Sequence, residues 1–187
     1  MNFRSKHVCP AEYAGCLDIR AKRWVQDPRK ILAPYLEEGM TALDLGCGPG
    51  FFTVEMARMV GKTGRVIASD LQEGMLQRLK RKLVGTELEG RIQLHKCQES
   101  SIGVPAGIDF VLAFYMVHEV PDRARFFREI ASIVKPTGRV LVVEPPLHVS
   151  KKAFEEMIET ARNAGLIPVE RPNMAFSKAV VLKKELE

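Results

Sequence analysis

Three glycines spaced two residues apart are the part of this chain best suited to hold a nucleotide-like ligand. Gly46, Gly48 and Gly50 follow the short, largely apolar segment T-A-L-D-L at 41–45. Because glycine has no Cβ, the backbone there can adopt positive φ angles and approach a ligand closely. A helix beginning near Phe51 would direct its first amides at the same place. The pattern predicts a ligand-binding loop at the end of a buried strand.

The glycine spacing separates two cofactor classes. A dinucleotide-binding fingerprint of the form GxGxxG needs its third glycine at position 51, and this chain has Phe51 there. With Asp44 two residues before the first glycine, D-L-G-C-G-P-G instead resembles the first motif of class I S-adenosylmethionine (SAM)-dependent methyltransferases, whose spacing is GxGxG. The resemblance implies SAM as the cofactor.

Polar residues after the next two predicted strands extend the implied cofactor site. Asp70 follows V-I-A-S at 66–69, where a carboxylate can accept both hydroxyls of a ribose or, alternatively, cap a turn. Met75 suits an apolar wall for adenine or a core position. Glu99 suits an adenine contact or a solvated loop. The resemblance implies these cofactor-binding residues: Asp44, Gly46, Cys47, Gly48, Gly50, Phe51, Asp70, Leu71, Met75, Gln98, Glu99, Ser100 and Phe114.

Two later segments carry the same family resemblance. A-F-Y-M-V-H-E-V-P-D at 113–122 resembles the segment of UbiE-like and small-molecule methyltransferases that lies beside the cofactor and faces the acceptor. The segment at 126–144 resembles the helix, K-P-x-G turn and fifth strand of the same families, with Thr137 where Gly is usual. The N-P-P-Y motif of enzymes that methylate adenine or glutamine nitrogens is absent at 114–117, which disfavours that chemistry.

Titratable residues near the predicted acceptor position are the candidates for catalysis. Histidine titrates near working pH, so His118 or His148 could take a proton from an acceptor, although His118 could equally bond backbone. Tyr115 and Glu144 are the other two candidates. An alternative for the N-terminal segment is a metal or thiol site formed by its histidine and cysteines with the later histidines. Its members would be His7, Cys9 and Cys16.

Length and composition predict one domain over 1–187, with an N-terminal helical lid at 1–37 and a SAM-binding core at 38–187. The chain has 187 residues, of which 46% are hydrophobic, and a formal net charge of +5. No apolar run approaches the roughly 20 residues of a membrane span, so a cytoplasmic protein without membrane contact is expected. Four scattered cysteines without a CxxC pair predict no metal site. The modest positive charge disfavours nucleic acid as a partner.

Hydrophobic periodicity predicts alternating strands and helices. Strands are expected after Met40 and at 66–69, 92–95, 109–114 and 139–144. Helices are expected over 17–36 with a start at Asp27-Pro28, and over 52–59, 73–83, 122–134 and 150–164. The final strands, 167–170 and 179–182, are joined too closely for a crossover helix and should pair antiparallel. The predicted fold is an α/β, Rossmann-like, doubly wound sheet of seven strands, six parallel and one antiparallel.

The resemblance implies a SAM-dependent methyltransferase that acts on a small-molecule acceptor. The sulfonium methyl is already reactive, so alignment in a water-poor pocket supplies much of the catalysis and no fixed triad is required. Two alternatives stay open. One is a methyltransferase acting on protein or RNA, for which basic residues at 20–30 would be useful. The other is a SAM-binding module without activity. Neither the acceptor nor the oligomeric state follows from the sequence.

Overall fold

The computed structural model describes residues 27–185, along which strands and helices alternate. The first half contains α1 (Pro28–Leu32), β1 (Thr41–Leu45), α2 (Thr53–Met59), β2 (Arg65–Asp70), α3 (Glu73–Leu83) and β3 (Ile92–Lys96). The second half contains β4 (Ile108–Phe114), α4 (Arg123–Ile133), β5 (Val134–Glu144), α5 (Lys151–Arg162), β6 (Leu166–Glu170) and β7 (Lys178–Lys184). Short 3-10 turns occur at Glu89–Arg91 and Val117–Glu119.

The strands form one seven-stranded sheet in the order β3-β2-β1-β4-β5-β7-β6. All neighbours from β3 to β5 are parallel, whereas β7 runs antiparallel to both β5 and β6. The predicted fold class, with six parallel strands and one reversed strand, is therefore confirmed. From β1 the chain moves outward through β2 to β3, and from β4 it moves the other way to β5, after which β6 forms the far edge and β7 lies between β5 and β6. Sheets of this kind bind ligands at the carboxyl ends of the strands where the order reverses.

Helices cover both faces of the sheet. Neighbouring residues of a strand point to opposite faces, and they belong here to two separate buried clusters. Leu43 and Val111 pack with residues of α4 and α5, whereas Ala42 and Leu112 pack with residues of α1, α2 and α3. Burial on both faces explains why the central strands are almost continuously apolar.

Three of the helices begin at the capping residues that the sequence predicts. The side chains of Asp27, Asp122 and Ser150 accept backbone N–H groups of the first turns at 3.1, 2.9 and 3.1 Å. Each bond satisfies a backbone donor that has no partner inside its helix. Among residues 27–185, none of the helices has the length and apolar character needed to cross a membrane.

The structure differs from the sequence predictions at two places. Helix α1 ends at Leu32, earlier than the predicted residue 36, and the part of the predicted lid before Asp27 lies outside the described residues. The predicted K-P-T-G turn lies inside β5 as an irregular insertion. There Ile108 pairs with Val134 and Phe110 with Arg139, so β5 contains three more residues than β4 between the two pairs.

Candidate active site

A cavity of about 240 Å³ opens at the carboxyl edge of the sheet, beside the ends of β1, β2 and β4. It brings together residues that are far apart in the chain, from the glycine loop to helix α4. Nine of the predicted cofactor residues line it: Gly46, Gly48, Asp70, Leu71, Met75, Gln98, Glu99, Ser100 and Phe114. The other four predicted cofactor residues are not among those that line it: Asp44, Cys47, Gly50 and Phe51.

The three glycines of the loop have positive φ angles but face different surroundings. A Cβ on Gly50 would collide with the Leu79 side chain of α3, and a Cβ on Gly46 would lie 3.1 Å from Met116 Cβ. These two positions therefore allow the loop to pack closely on its neighbours. A Cβ on Gly48, where φ is 52°, would meet no atom of the described residues 27–185 within 4 Å. Gly48 lines the cavity, so its bare backbone leaves room for a ligand.

The carboxylate of Asp70 holds the loops after β1 and β2 together. Its Oδ2 accepts the N–H of Gly48 at 2.9 Å, and its Oδ1 accepts the N–H of Gln72 at 2.8 Å. Burial raises the pKa of Asp70, and these backbone hydrogen bonds act in the opposite direction. A carboxylate has about four lone-pair sites, so both oxygens keep acceptor capacity for a ligand hydroxyl.

Asp44 lies under the glycine loop and contacts the start of α2. It is buried, and its Oδ2 accepts the hydroxyl proton of Thr53 at 2.6 Å. The pKa of Asp44 is raised to about 7. Burial is the main cause and the nearby Asp70 also raises the pKa, whereas the hydrogen bond from Thr53 lowers it. Its surroundings are those of a residue that supports the loop from below. Its predicted role in cofactor binding stays a prediction.

The remaining loop residues pack against the sheet. The Cys47 thiol is buried and bonds Gly48 O at 3.5 Å, and burial raises the pKa of this thiol. The Phe51 ring meets the Phe52 ring edge-on at 5.1 Å between centroids, and Phe52 lies 4.4 Å from Phe114. This aromatic row joins the loop to the end of β4. Phe51, which disfavours a dinucleotide fingerprint, therefore has a packing role in the structure.

Tyr115, the first residue after β4, has a rare backbone conformation. Its φ is 57°, which is unusual for a bulky residue and costs on the order of 1–3 kcal/mol. Its N–H donates to Val143 O at 2.8 Å, and its hydroxyl bonds Ser177 Oγ at 2.5 Å. The predicted catalytic candidate Tyr115 lines the cavity. Its strained backbone is held by β5 and by the segment before β7.

The other three catalytic candidates meet just outside the cavity lining. Glu144 is 1% exposed and accepts the N–H groups of Val117 and His118 at 2.9 and 3.3 Å. Its second oxygen lies 2.5 Å from His118 Nδ1, and this hydrogen bond raises the pKa of His118. The His148 ring stacks on His118 with centroids 5.9 Å apart. The structure thus joins these three residues into one cluster, next to the cavity-lining Glu119.

Several residues in the lining were missed by the sequence predictions. They include Arg125 and Glu129. Glu129 accepts Ser101 Oγ and the N–H of Ile102 at 2.7 and 2.8 Å, which ties α4 to the loop after β3. The four-residue spacing of 125 and 129 places both on one face of α4, a periodicity visible in the sequence.

Metal-ligating geometry is not found in the part of the chain that the structure describes. Within residues 27–185, no three His, Cys, Asp or Glu side chains are grouped so that they could hold a metal ion. His7, Cys9 and Cys16, which formed the alternative N-terminal site, lie outside the described residues.

The raised pKa of Asp44 predicts a pH-dependent stability. Folded Asp44 keeps its proton to about pH 7, whereas in the unfolded chain it ionises near pH 4, so its contribution to stability falls as pH rises between these values. Asp44→Asn removes this titration. Relative to the native protein, the variant should gain more than about 1 kcal/mol of unfolding free energy between about pH 5 and pH 8. Urea unfolding at both pH values tests this, and an equal difference at both would contradict it.

Comparisons with known proteins find similarity to methyltransferases. The methyltransferase domain family matches residues 42–138, just over half of the 187 residues. The demethylmenaquinone methyltransferase of Lactococcus lactis is 34% identical over 123 residues, covering 63% of this chain and 48% of that protein. The ubiquinone/menaquinone biosynthesis C-methyltransferase UbiE of an Enterobacter species is 30% identical over 124 residues, covering 64% and 49%. The chain thus spans about half the length of the curated relatives it matches.

A solved structure extends the similarity to nearly the whole chain. A SAM-dependent methyltransferase from Aquifex aeolicus superimposes with a TM-score of 0.84 and 26% sequence identity, covering 94% of this chain and 98% of that one. The family resemblance seen in the sequence is confirmed. The chain belongs to the methyltransferase domain family, and its family and fold are those of class I SAM-dependent methyltransferases.

Proposed function

We propose that this protein transfers the methyl group of SAM to a small hydroxylated aromatic acceptor, such as a reduced quinone. The observation that carries the proposal is one cavity with two unlike sides. One side has the glycine loop and the Asp70 carboxylate, and the other combines an apolar, partly aromatic surface with charged residues of the segment after β4, among them Glu119 and Arg125. The quinone-related names of the relatives from Lactococcus lactis and Enterobacter support the acceptor class.

The side containing Asp70 fits SAM. Asp70 would accept the ribose hydroxyls, and Gly48 would let the ligand approach the backbone, because no atom of residues 27–185 occupies the space where its Cβ would point. Leu71 and Met75 line the adjoining wall, where an adenine ring would find apolar contacts. When bound, SAM supplies a methyl group activated by a positively charged sulfur.

The opposite side fits a flat apolar acceptor better than a polyanion. Its apolar lining consists of Phe114, Tyr115, Met116, Val120, Pro121 and Phe126. The charged lining of the cavity consists of five carboxylates and one guanidinium: Asp70, Glu99, Glu119, Asp122, Glu129 and Arg125. Phosphate contacts supply most of the affinity of nucleic-acid-binding proteins, and a mostly acidic cavity repels phosphates. RNA is therefore a weaker candidate for the acceptor than a neutral aromatic ring.

Methyl transfer to a quinol tests the proposal directly. The full chain is incubated with SAM carrying a tritiated methyl group and with naphthohydroquinone under reducing conditions. Label should appear in the organic extract with the native protein and be absent with Gly48→Val, whose side chain would fill the ligand space. If label enters only added RNA or protein, the acceptor is a macromolecule and the proposed small-molecule acceptor is wrong. If the protein binds SAM tightly but transfers no label to the quinol, RNA or protein, it is a SAM-binding module without activity.

Gly48→Ala should weaken binding of S-adenosylhomocysteine by about tenfold or more, since its Cβ projects into open cavity space. Gly85→Ala is a matched control, because φ is also positive there, at 74°, and its Cβ likewise meets nothing within 4 Å. Both variants carry a similar backbone strain of about 1–2 kcal/mol. Calorimetric titration compares the affinities of the two variants for S-adenosylhomocysteine. Equal affinities would show that the glycine loop is not part of the cofactor site.

Asp70→Ala removes the acceptor for both loop amides and for the ribose. Hydrogen bonds to charged groups contribute about 1.5–3 kcal/mol each, so loss of the two bonds to the ribose hydroxyls should lower affinity for S-adenosylhomocysteine about 100-fold or more. Asp70→Asn keeps one acceptor oxygen and should show a smaller loss. Circular dichroism establishes that both variants fold, and unchanged affinity in a folded Asp70→Ala variant would refute the ribose assignment.

A further inference from the structure

We propose that Glu119, His118 and Glu144 form a proton-transfer chain that deprotonates the acceptor. The inference rests on the proposed function and narrows its acceptor class to compounds whose hydroxyl must lose a proton, such as quinols and other phenols. Glu119 is the catalytic residue, because its side chain lines the cavity. His118 and Glu144 act through it and are positioning residues.

The His118 ring is held in a fixed orientation. Glu144 is almost fully buried, and its carboxylate accepts two backbone N–H groups of the turn that carries His118. The same carboxylate lies 2.5 Å from His118 Nδ1, so the proton of the neutral imidazole belongs on Nδ1. Nε2 is then the proton acceptor of the ring. A base oriented by a buried carboxylate is a recurring arrangement in proton-transfer sites.

The direction in which the ring faces also supports the proton-transfer chain. His118 Nε2 lies 4.0 Å from Glu119 Oε1, and Glu119 belongs to the cavity wall. Proton-transfer contacts are commonly longer in ligand-free structures and shorten in the reactive complex. The order of groups from cavity to interior is therefore Glu119, His118 and Glu144. The His118 side chain is 23% exposed, which gives a proton on its ring a route to water.

The charged and titratable groups around His118 come from each neighbouring element. Glu144 ends β5, and Glu119 lies in the same turn as His118. Arg123 of α4 donates to the carbonyl oxygens of Val117 and His118 at 3.2 Å each, and His148 stacks on the ring from the loop after β5. The hydrogen bond to Glu144 raises the pKa of His118 most, while burial and Arg123 lower it.

The hydroxyl proton of the acceptor reaches water through Glu119 and His118. Glu119 takes the hydroxyl proton, and the electron pair of the O–H bond stays on the acceptor oxygen, delocalised into the ring. His118 Nε2 takes the proton from Glu119 and releases it to water. The acceptor's electron pair forms the bond to the methyl carbon, while the pair of the broken carbon–sulfur bond stays on sulfur. If a ring carbon attacks, its hydrogen then leaves as a proton to water, and the electron pair of the C–H bond restores the aromatic ring.

Glu119→Gln tests the catalytic residue. General-base catalysis contributes about 100-fold or more, so kcat with naphthohydroquinone should fall by at least that factor while calorimetry finds SAM affinity unchanged. With nitrocatechol, whose hydroxyl is largely ionised in mildly alkaline buffer, the deficit should shrink because the proton is already gone. The matched control is Glu156→Gln, an exposed carboxylate of α5, which should leave both rates unchanged.

The pKa of His118, measured by NMR of its imidazole, tests the chain without turnover. Glu119→Gln and Glu144→Gln each remove a neighbouring negative charge, so both should lower this pKa. Because neutral His118 is the proton acceptor, kcat/KM should rise with pH through its pKa. In Glu144→Gln this rise should occur at lower pH. If Glu144→Gln does not fold, the Glu119→Gln variant alone tests the chain, through its His118 pKa and through its kcat with naphthohydroquinone and with nitrocatechol.

The outcomes for the chain and for the proposed function are separable. A native protein that transfers no methyl group to naphthohydroquinone contradicts the proposed acceptor class. A native protein that methylates it, together with a Glu119→Gln variant of equal kcat and unchanged His118 pKa, overturns the proton-transfer chain and leaves the proposed function in place.

Discussion

The two backbone hydrogen bonds of the Asp70 carboxylate are the interaction on which the cavity depends. One oxygen binds the amide of Gly48 after β1 and the other binds the amide of Gln72 before α3. The ends of two parallel strands are therefore joined by a single side chain. Burial is the main cause that raises the pKa of the neighbouring Asp44 to about 7, and the Asp70 carboxylate adds to this effect, so ionisation of Asp44 beside Asp70 is disfavoured.

Under the proposed function, the sheet topology separates cofactor binding from acceptor binding. Residues that follow β1, β2 and β3 form one side of the cavity, and residues that follow β4 form the other. The two sides touch where Gly46 packs against Met116, a contact that leaves little space for a side chain at position 46. Changes after β4 can therefore alter the acceptor side while the Asp70 network stays intact.

Local patterns in the sequence predicted most of the fold. Asp122 and Ser150 cap the helices as expected, and the close spacing of 167–170 and 179–182 predicted the antiparallel pair. Contacts between distant residues were not predictable. Glu144 meets His118 across 26 positions, and Tyr115 meets Ser177 across 62. Whether Asp44 and Phe51 face the cavity or the core depends on how α2 packs, which residue type and spacing leave undetermined.

The hydrogen bond between the Tyr115 hydroxyl and Ser177 Oγ connects the proposed acceptor side of the cavity to the segment between β6 and β7. The family match ends at residue 138, before Glu144, His148 and Ser177. Proteins that share the matched region can therefore differ in the hairpin formed by β6 and β7 and, through it, in the acceptor that they methylate. Exchanging this hairpin between relatives is a route to new acceptor specificity that keeps the SAM-binding half unchanged.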